Sequence, residues 1–443
     1  MPLLEIDVHH VRPMIDAGDT AWLLAATALV LLMVPGLALF YGGMVRVKSV
    51  LNMMMMTFSA LGVITLVWVL VGYSLAFGDD LGGGLLGDPT QYLGLQSLVG
   101  GAGTWLHVPT ILFACFQGLF AVITGGLIAG AIADRARFGA WLIFCAVWTL
   151  LVYAPLAHWV FDGSRTGHVG GWLINRLHLV DFAGGTVVEI CSGASGLALA
   201  LVLGRRVGFG HEAMRPHNLT LVMLGAGLLW VGWFGFNAGS AFRADQGAAV
   251  VFAATLVAGA AGAGGWLLVE RLRDGHATSL GAASGMVAGL VAITPSCGSV
   301  TPLGAILVGL AAGAICAGAI ALKYRSGFDD SLDVVGVHLV GGLVGTVLVG
   351  LLASSAAPTG VDGLLYGGGL TQLGRQSLGA LVVLVYAFVV SGLLGLAIDK
   401  AVGFRIDPDH EVQGIDLVVH AETAYDLHTT GATRASSIFG HHH

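Results

Sequence analysis

Residues 184–204 read GGTVVEICSGASGLALALVLG, and residues 334–353 read VVGVHLVGGLVGTVLVGLLA. Each run is apolar, rich in glycine and long enough to cross a bilayer as a helix. Each holds a single acid or base, Glu189 in the first and His338 in the second. The frames match, with glycine at +4 (Gly193, Gly342) and again at +7 (Gly196, Gly345). A charge at mid-membrane depth costs about 2.5–3.5 kcal/mol on insertion scales, so such a residue reads first as functional. Two of them in one repeated frame imply a polar path through the membrane.

The rest of the chain agrees with that class. Of 443 residues, 56% are apolar and only 10% charged, and 69 are glycine. Soluble domains carry about 25% charged residues. The mean hydropathy is +0.86. Eleven apolar runs read as membrane helices: Ala21–Gly42, Val50–Phe77, Val108–Ala133, Phe138–Phe161, Gly184–Leu203, Asn218–Phe236, Gly247–Val269, Thr278–Thr294, Leu303–Leu322, Val334–Ala353 and Ser377–Val402. The eighth is short for a full crossing. With the N-terminus outside, one set of loops holds only Arg12, Arg165, Arg176, Arg243 and Arg375, and the other fourteen of the 19 Lys and Arg lie in the opposite set. That asymmetry predicts an external N-terminus and a cytoplasmic C-terminus.

Residues 1–20 have no basic stretch ahead of the first apolar run, so no secretory signal is expected there. They form an extracytoplasmic segment, residues 21–403 the membrane domain, residues 404–427 a cytoplasmic region and residues 428–443 a disordered tail. His441–His443 resemble the remnant of a purification tag. The five cysteines lack metal-ligand spacing and read as packing residues, so no metal is expected. A net charge of −7 without a basic patch excludes nucleic acid as a partner. Asp79, Asp80 and Asp88 lie in a glycine-rich loop and read as solvated surface.

The matched frames lie five helices apart, and other segments match at the same offset. Residues 39–43 read LFYGG and 235–239 read GFNAG; residues 121–126 read AVITGG and 291–295 read VAITP. An odd number of helices per repeat inverts the second copy, the plan of many transporters with a site near the midplane. The expected fold is therefore an all-α membrane protein of two inverted five-helix repeats plus an eleventh helix. The glycines have two readings, close helix packing and a backbone that lines a narrow pore.

Several long motifs then carry a resemblance. DTAW at 19–22, PGLALFYGG at 35–43, DFAGGTVVE at 181–189, LLWVGWFGFNAGSAF at 228–242, AGLVAITP at 288–295, DVVGVH at 333–338 and EVQGIDLVVHAETAY at 411–425 together resemble the ammonium transporter (Amt/Mep/Rh) family, on its bacterial Amt side. The likeness runs from about Asp19 to Leu427. It implies a homotrimer in the plasma membrane with one pore per subunit, carrying ammonium or ammonia, with methylammonium as an analogue and no cofactor. It implies an outer vestibule at Phe161, Ser240 and Trp233, where a cation exchanges water for a ring face and an oxygen. Many members have Trp at the Phe161 position, and Phe is the weaker partner for a cation. The insertion at 162–171 follows directly at the rim.

Below the vestibule the resemblance implies a gate of two stacked rings, Phe120 and Phe236. Without it, each reads as packing. Next comes the pore pair, where most relatives have two histidines. This chain keeps His338 and puts Glu189 at the first position, like a subset of fungal members. Imidazole titrates near 6.5 and a carboxyl near 4.3 in the unperturbed state, and the two titrate as one coupled pair. Asp181 and Thr294 are implied as support beside the pore, Asp181 capping helix five. The tail, with Gly414 and Asp416, is implied to fold on the inner face, where a PII-type signal protein docks in relatives. The expected function is ammonium recruitment, deprotonation and passage as ammonia with the proton relayed by Glu189 and His338. The alternatives are an ammonium sensor, a transport-impaired relative, or an Rh-like gas channel. A sensor normally carries a further cytoplasmic domain, and this chain ends about forty residues after helix eleven. Nothing in the motifs suggests an enzyme.

Overall fold

The structure is a computed structural model that describes residues 15–100, 104–165 and 168–425. Most of the expected N-terminal segment (residues 1–14) and the tail at 428–443, with its terminal histidines, lie outside the described residues. Among the described residues, ten helices are long and apolar enough to cross a membrane: α1 Ala17–Met44, α2 Val47–Phe77, α3 Thr110–Ile132, α4 Phe138–Phe161, α5 Gly185–Leu203, α6 Leu219–Gly239, α7 Gln246–Asp274, α9 Pro302–Ser326, α10 Val335–Leu352 and α11 Thr371–Val402. The eleventh, α8 Ser279–Ile293, has 15 residues and matches the short eighth run. Side-chain caps start several of these helices. Asp16 accepts from Asp19 N–H at α1, Asn218 from Leu221 at α6, Asp245 from Ala248 at α7 and Thr278 from Gly281 at α8. Leucines at the outer surface, such as Leu66, Leu272 and Leu393, are exposed, as a lipid-facing surface requires.

The two opening runs are neighbours. Helices α5 and α10 lie side by side and antiparallel, and the glycines at +4 set the spacing. A Cβ on Gly193 would meet Leu339 Cβ at 2.6 Å, and one on Gly342 would meet Glu189 Cβ at 2.9 Å and Ile190 Cγ1 at 3.0 Å. So the glycine after the acid packs beside the base, and the glycine after the base packs beside the acid. Gly196 packs on Ala131 at the end of α3, and Gly345 packs on Ala292 in α8. That reciprocity is what a twofold axis between α5 and α10 produces, with α3 and α8 as the second matched pair. The starts match too. Each begins with a π-helical turn, Gly185–Ile190 and Val335–Leu339, and each turn holds its acid or base. Each is headed by a carboxylate: Asp181 accepts from Gly184, Gly185 and Thr186 N–H, and Asp330 accepts from Val334 and Val335 N–H.

One end of the bundle is closed by a buried ion-pair lattice. Arg206 donates from its backbone and guanidinium to Asp329 at 2.8–2.9 Å and reaches Asp134 at 3.2 Å, which Arg46 also binds at 2.9 Å. Burial alone would raise the Asp329 carboxyl, but hydrogen bonds and charge from Arg206 hold it below the usual carboxylate range. The chain after α11 lies on this face as two short helices, α12 Pro408–Gln413 and α13 Ile415–His420. Glu411 accepts from Val207 N–H and Arg405, and Asp416 accepts from Leu51 and Asn52 N–H at the start of α2. Gly414, between α12 and α13, has φ 115°, and a Cβ there would meet Lys48.

At the opposite end the loop carboxylates differ from their sequence reading. Asp79 is exposed, but the Asp80 side chain is only 7% exposed. It accepts from Gly83 and Gly84 N–H and faces Nε2 of buried His158 at 3.3 Å. A run of small residues gave no sign of that partner 78 positions away. Asp162, also buried, binds His168 at 2.5 Å and Arg165 at 3.1 Å, so the rim insertion is tied to the end of α4.

Two measurements check this packing. Gly342→Val should lower thermal stability by about 1–3 kcal/mol through overpacking, while Gly227→Val, which has open space around it, should leave the melting temperature of the purified protein within about 1 °C. Arg206→Met leaves the buried Asp329 carboxylate without its charged partner, while Asp134 keeps Arg46, and should cost about 3–5 kcal/mol. Because the folded pKa of Asp329 is depressed, its stabilisation is present above the unfolded value of about 3.9 and lost only as pH falls through the folded value. The stabilisation that Asp329 gives the wild-type protein should therefore be the same at pH 6 and pH 8.

Candidate functional site: two cavities divided by a phenyl stack, with a buried acid–base pair

The close approach of α5 and α10 brings Glu189 Oε2 to 2.7 Å from His338 Nδ1. Their side chains are 1% and 4% exposed. The bond fixes which imidazole nitrogen faces the carboxyl. Both residues line a narrow cavity with Met33, Leu37, Ile123, Val188, Leu229 and Trp233 among its walls. About 10 Å³ is open to the centre of a water-sized sphere, which is room for roughly one such molecule. Apart from the pair, the walls are almost wholly apolar.

A second cavity, of about 140 Å³, lies nearer the Asp80 end. Its walls include Phe113, Gln117, Phe120, Phe161, Asp181, Ser240 and Phe242. Between the two cavities the rings of Phe120 and Phe236 stack in parallel, 4.0 Å apart with 6° between planes. Phe120 faces the wider cavity and Phe236 the narrow one. Phe161 meets Phe120 edge-on at 6.4 Å. The Ser240 hydroxyl donates to Phe236 C=O at 2.8 Å, so its lone pairs remain to accept.

The predicted residues therefore fall into two groups along one axis. Phe161, Ser240 and Asp181 meet in the wide cavity; Glu189, His338 and Trp233 meet in the narrow one; Phe120 and Phe236 divide them. Trp233 is displaced from its expected place. It lines the narrow cavity below the stack, because its indole N–H donates to Thr294 Oγ at 2.8 Å and holds the ring against Phe236. Thr294 in turn donates to Leu290 C=O, so it positions Trp233. The oxygens of Asp181 accept three backbone N–H bonds and the Thr186 hydroxyl, so this carboxylate anchors the turn that carries Glu189. Gln117 is a wall residue that the sequence reading passed over. It sits one turn from Phe120 in LFACFQGLF (112–120), where an amide between phenylalanines gave no signal beyond its polarity. Among the described residues no group of three or more His, Cys, Asp or Glu side chains could hold a metal ion.

Comparison with known proteins follows the same lines. The Ammonium Transporter Family profile matches residues 21–425. A Mycobacterium tuberculosis protein named ammonium transporter is 56% identical, over 93% of this chain and 91% of that protein. One from Corynebacterium glutamicum is 46% identical, over 95% and 92%. Among solved structures, Saccharomyces cerevisiae Mep2 superposes with a TM-score of 0.81 at 35% identity, covering 89% of each chain. A protein titled Sensor Amt Protein superposes with a TM-score of 0.83 at 28% identity, covering 90% of this chain and 97% of that one. With nearly its whole length matched, and by relatives up to more than half identical, the chain belongs to the ammonium transporter family.

Proposed function

We propose that this protein carries ammonium across the plasma membrane by separating it into ammonia and a proton. One observation carries the reading: a cavity walled by rings and oxygens and a narrow apolar cavity holding an acid–base pair lie on one axis, divided by a parallel phenyl stack. In the wide cavity the cation exchanges water for the faces of Phe161 and Phe120, at about 0.5–2 kcal/mol per ring, and for Ser240 Oγ. The stack has no room for a hydrated ion. A charged species entering the apolar passage forfeits its hydration, whereas neutral ammonia forfeits far less. Deprotonation above the stack removes that barrier. The proton passes to the Glu189–His338 pair, which accepts it at one end and releases it at the other by exchange across the 2.7 Å bond. Net charge then moves with each substrate.

The basic face, with its Arg46 and Arg206 lattice, is cytoplasmic in this reading, and the wide cavity opens outside. The exposed apolar flanks serve a homotrimer, and the tail packed on the basic face offers a docking surface for a PII-type partner. Methylammonium is carried as an analogue, and the protein performs no covalent chemistry on its substrate. A sensor is the second reading, favoured by the likeness to the protein titled Sensor Amt Protein. It predicts an ammonium response without saturable current.

Supported-membrane electrophysiology on the reconstituted protein separates these readings. Wild type should give an ammonium-evoked current that saturates. Glu189→Gln and His338→Gln should each reduce it at least tenfold while the protein stays folded. Undiminished current in the double variant would sink the relay, and absence of any saturable current in wild type would favour the sensor.

A further inference from the structure

Gln117 is 4% exposed, and its Oε1 has no hydrogen-bond partner. A buried amide oxygen in that condition has lost its water and gained nothing in exchange. Of the buried side-chain atoms that lack a partner among the described residues, it is the one whose residue lines the wide cavity. Its neighbours there are differently placed. Asp181 already accepts four hydrogen bonds, and the Ser240 hydroxyl hydrogen is committed to Phe236 C=O. The wall includes no Lys, Arg or His. The cavity therefore offers acceptors and ring faces and no basic side chain, and what the Gln117 oxygen lacks is a donor. Rotation about the terminal Cγ–Cδ bond is soft, so the Gln117 oxygen can turn into the cavity when a donor arrives.

We infer that Gln117 Oε1 is a direct ligand of the cation in this cavity, paired with Ser240 Oγ across the ring walls. A small cation bearing several N–H donors and no acceptor fits that set. The second oxygen carries more weight here because the ring at position 161 is phenyl, the weaker partner for a cation. The inference rests on reading the wide cavity as the receiving site for ammonium.

Concentration dependence of the ammonium-evoked current in proteoliposomes tests it, on the full-length protein as wild type, Gln117→Leu, Gln117→Glu and Ser240→Ala. A hydrogen bond to a charged partner is among the stronger ones, so Gln117→Leu should raise the half-saturating ammonium concentration about tenfold while the plateau current changes less than twofold. Gln117→Glu keeps an acceptor and adds charge, so its half-saturation should stay at or below the wild-type value and fall further as pH rises through the new carboxyl's titration. Superimposable curves for wild type and Gln117→Leu, with Ser240→Ala shifted, would overturn the role of Gln117 and leave the cavity reading standing. No shift in either variant would overturn both. If Gln117→Leu fails to yield folded protein by size exclusion, a pH-independent half-saturation in Gln117→Glu overturns the inference on its own.

Discussion

Everything in the channel depends on how closely α5 and α10 approach. Glycine at +4 of each lets the two backbones run side by side, glycine at +7 admits α3 and α8, and the antiparallel order puts the acid of one against the base of the other. A larger residue at Gly193 or Gly342 would strike the partner helix and separate Glu189 from His338. The same closeness answers the energetic problem posed by two ionisable groups in an apolar interior. Each is the other's hydrogen-bond partner, so neither is buried alone. The carboxylates of Asp181 and Asp330 hold the first turns of these helices, and through them the positions of the pair.

From that centre the channel follows in both directions. Toward the Asp80 end, α3 and α6 supply the stacked rings, and Ser240, one turn past Phe236, bonds back to the Phe236 carbonyl. Toward the basic end, the Arg206 lattice and the tail on α2 close the bundle, and the Asp329–Arg206 pair stays charged across the neutral range. In the proposed route these two ends do different work. One exchanges water for rings and oxygens, and the other anchors the helices while an exchangeable pair sits between them.

Much of this could be read from the chain. Eleven runs, the short eighth helix and the five-helix offset follow from hydropathy and glycine spacing, because a bilayer forces each span to satisfy its own backbone. Two costly residues in one frame implied a polar path, and the family resemblance implied that Glu189 and His338 pair. What stayed hidden were contacts set by tertiary direction. Trp233 turns into the narrow cavity because Thr294, 61 residues away, accepts its N–H. Asp80 is buried by His158, and Gln117 gained meaning only once its oxygen was found without a partner beside a cavity. No periodicity encodes which way such side chains point.

The central claim is that substrate crosses as ammonia while its proton crosses by the Glu189–His338 pair. The most direct measurement is the charge moved per molecule of substrate, taken as current and labelled methylammonium uptake in the same proteoliposomes. The account predicts a ratio near one that holds across substrate concentrations, because each substrate releases one proton to the pair. Uptake with no accompanying charge would contradict it.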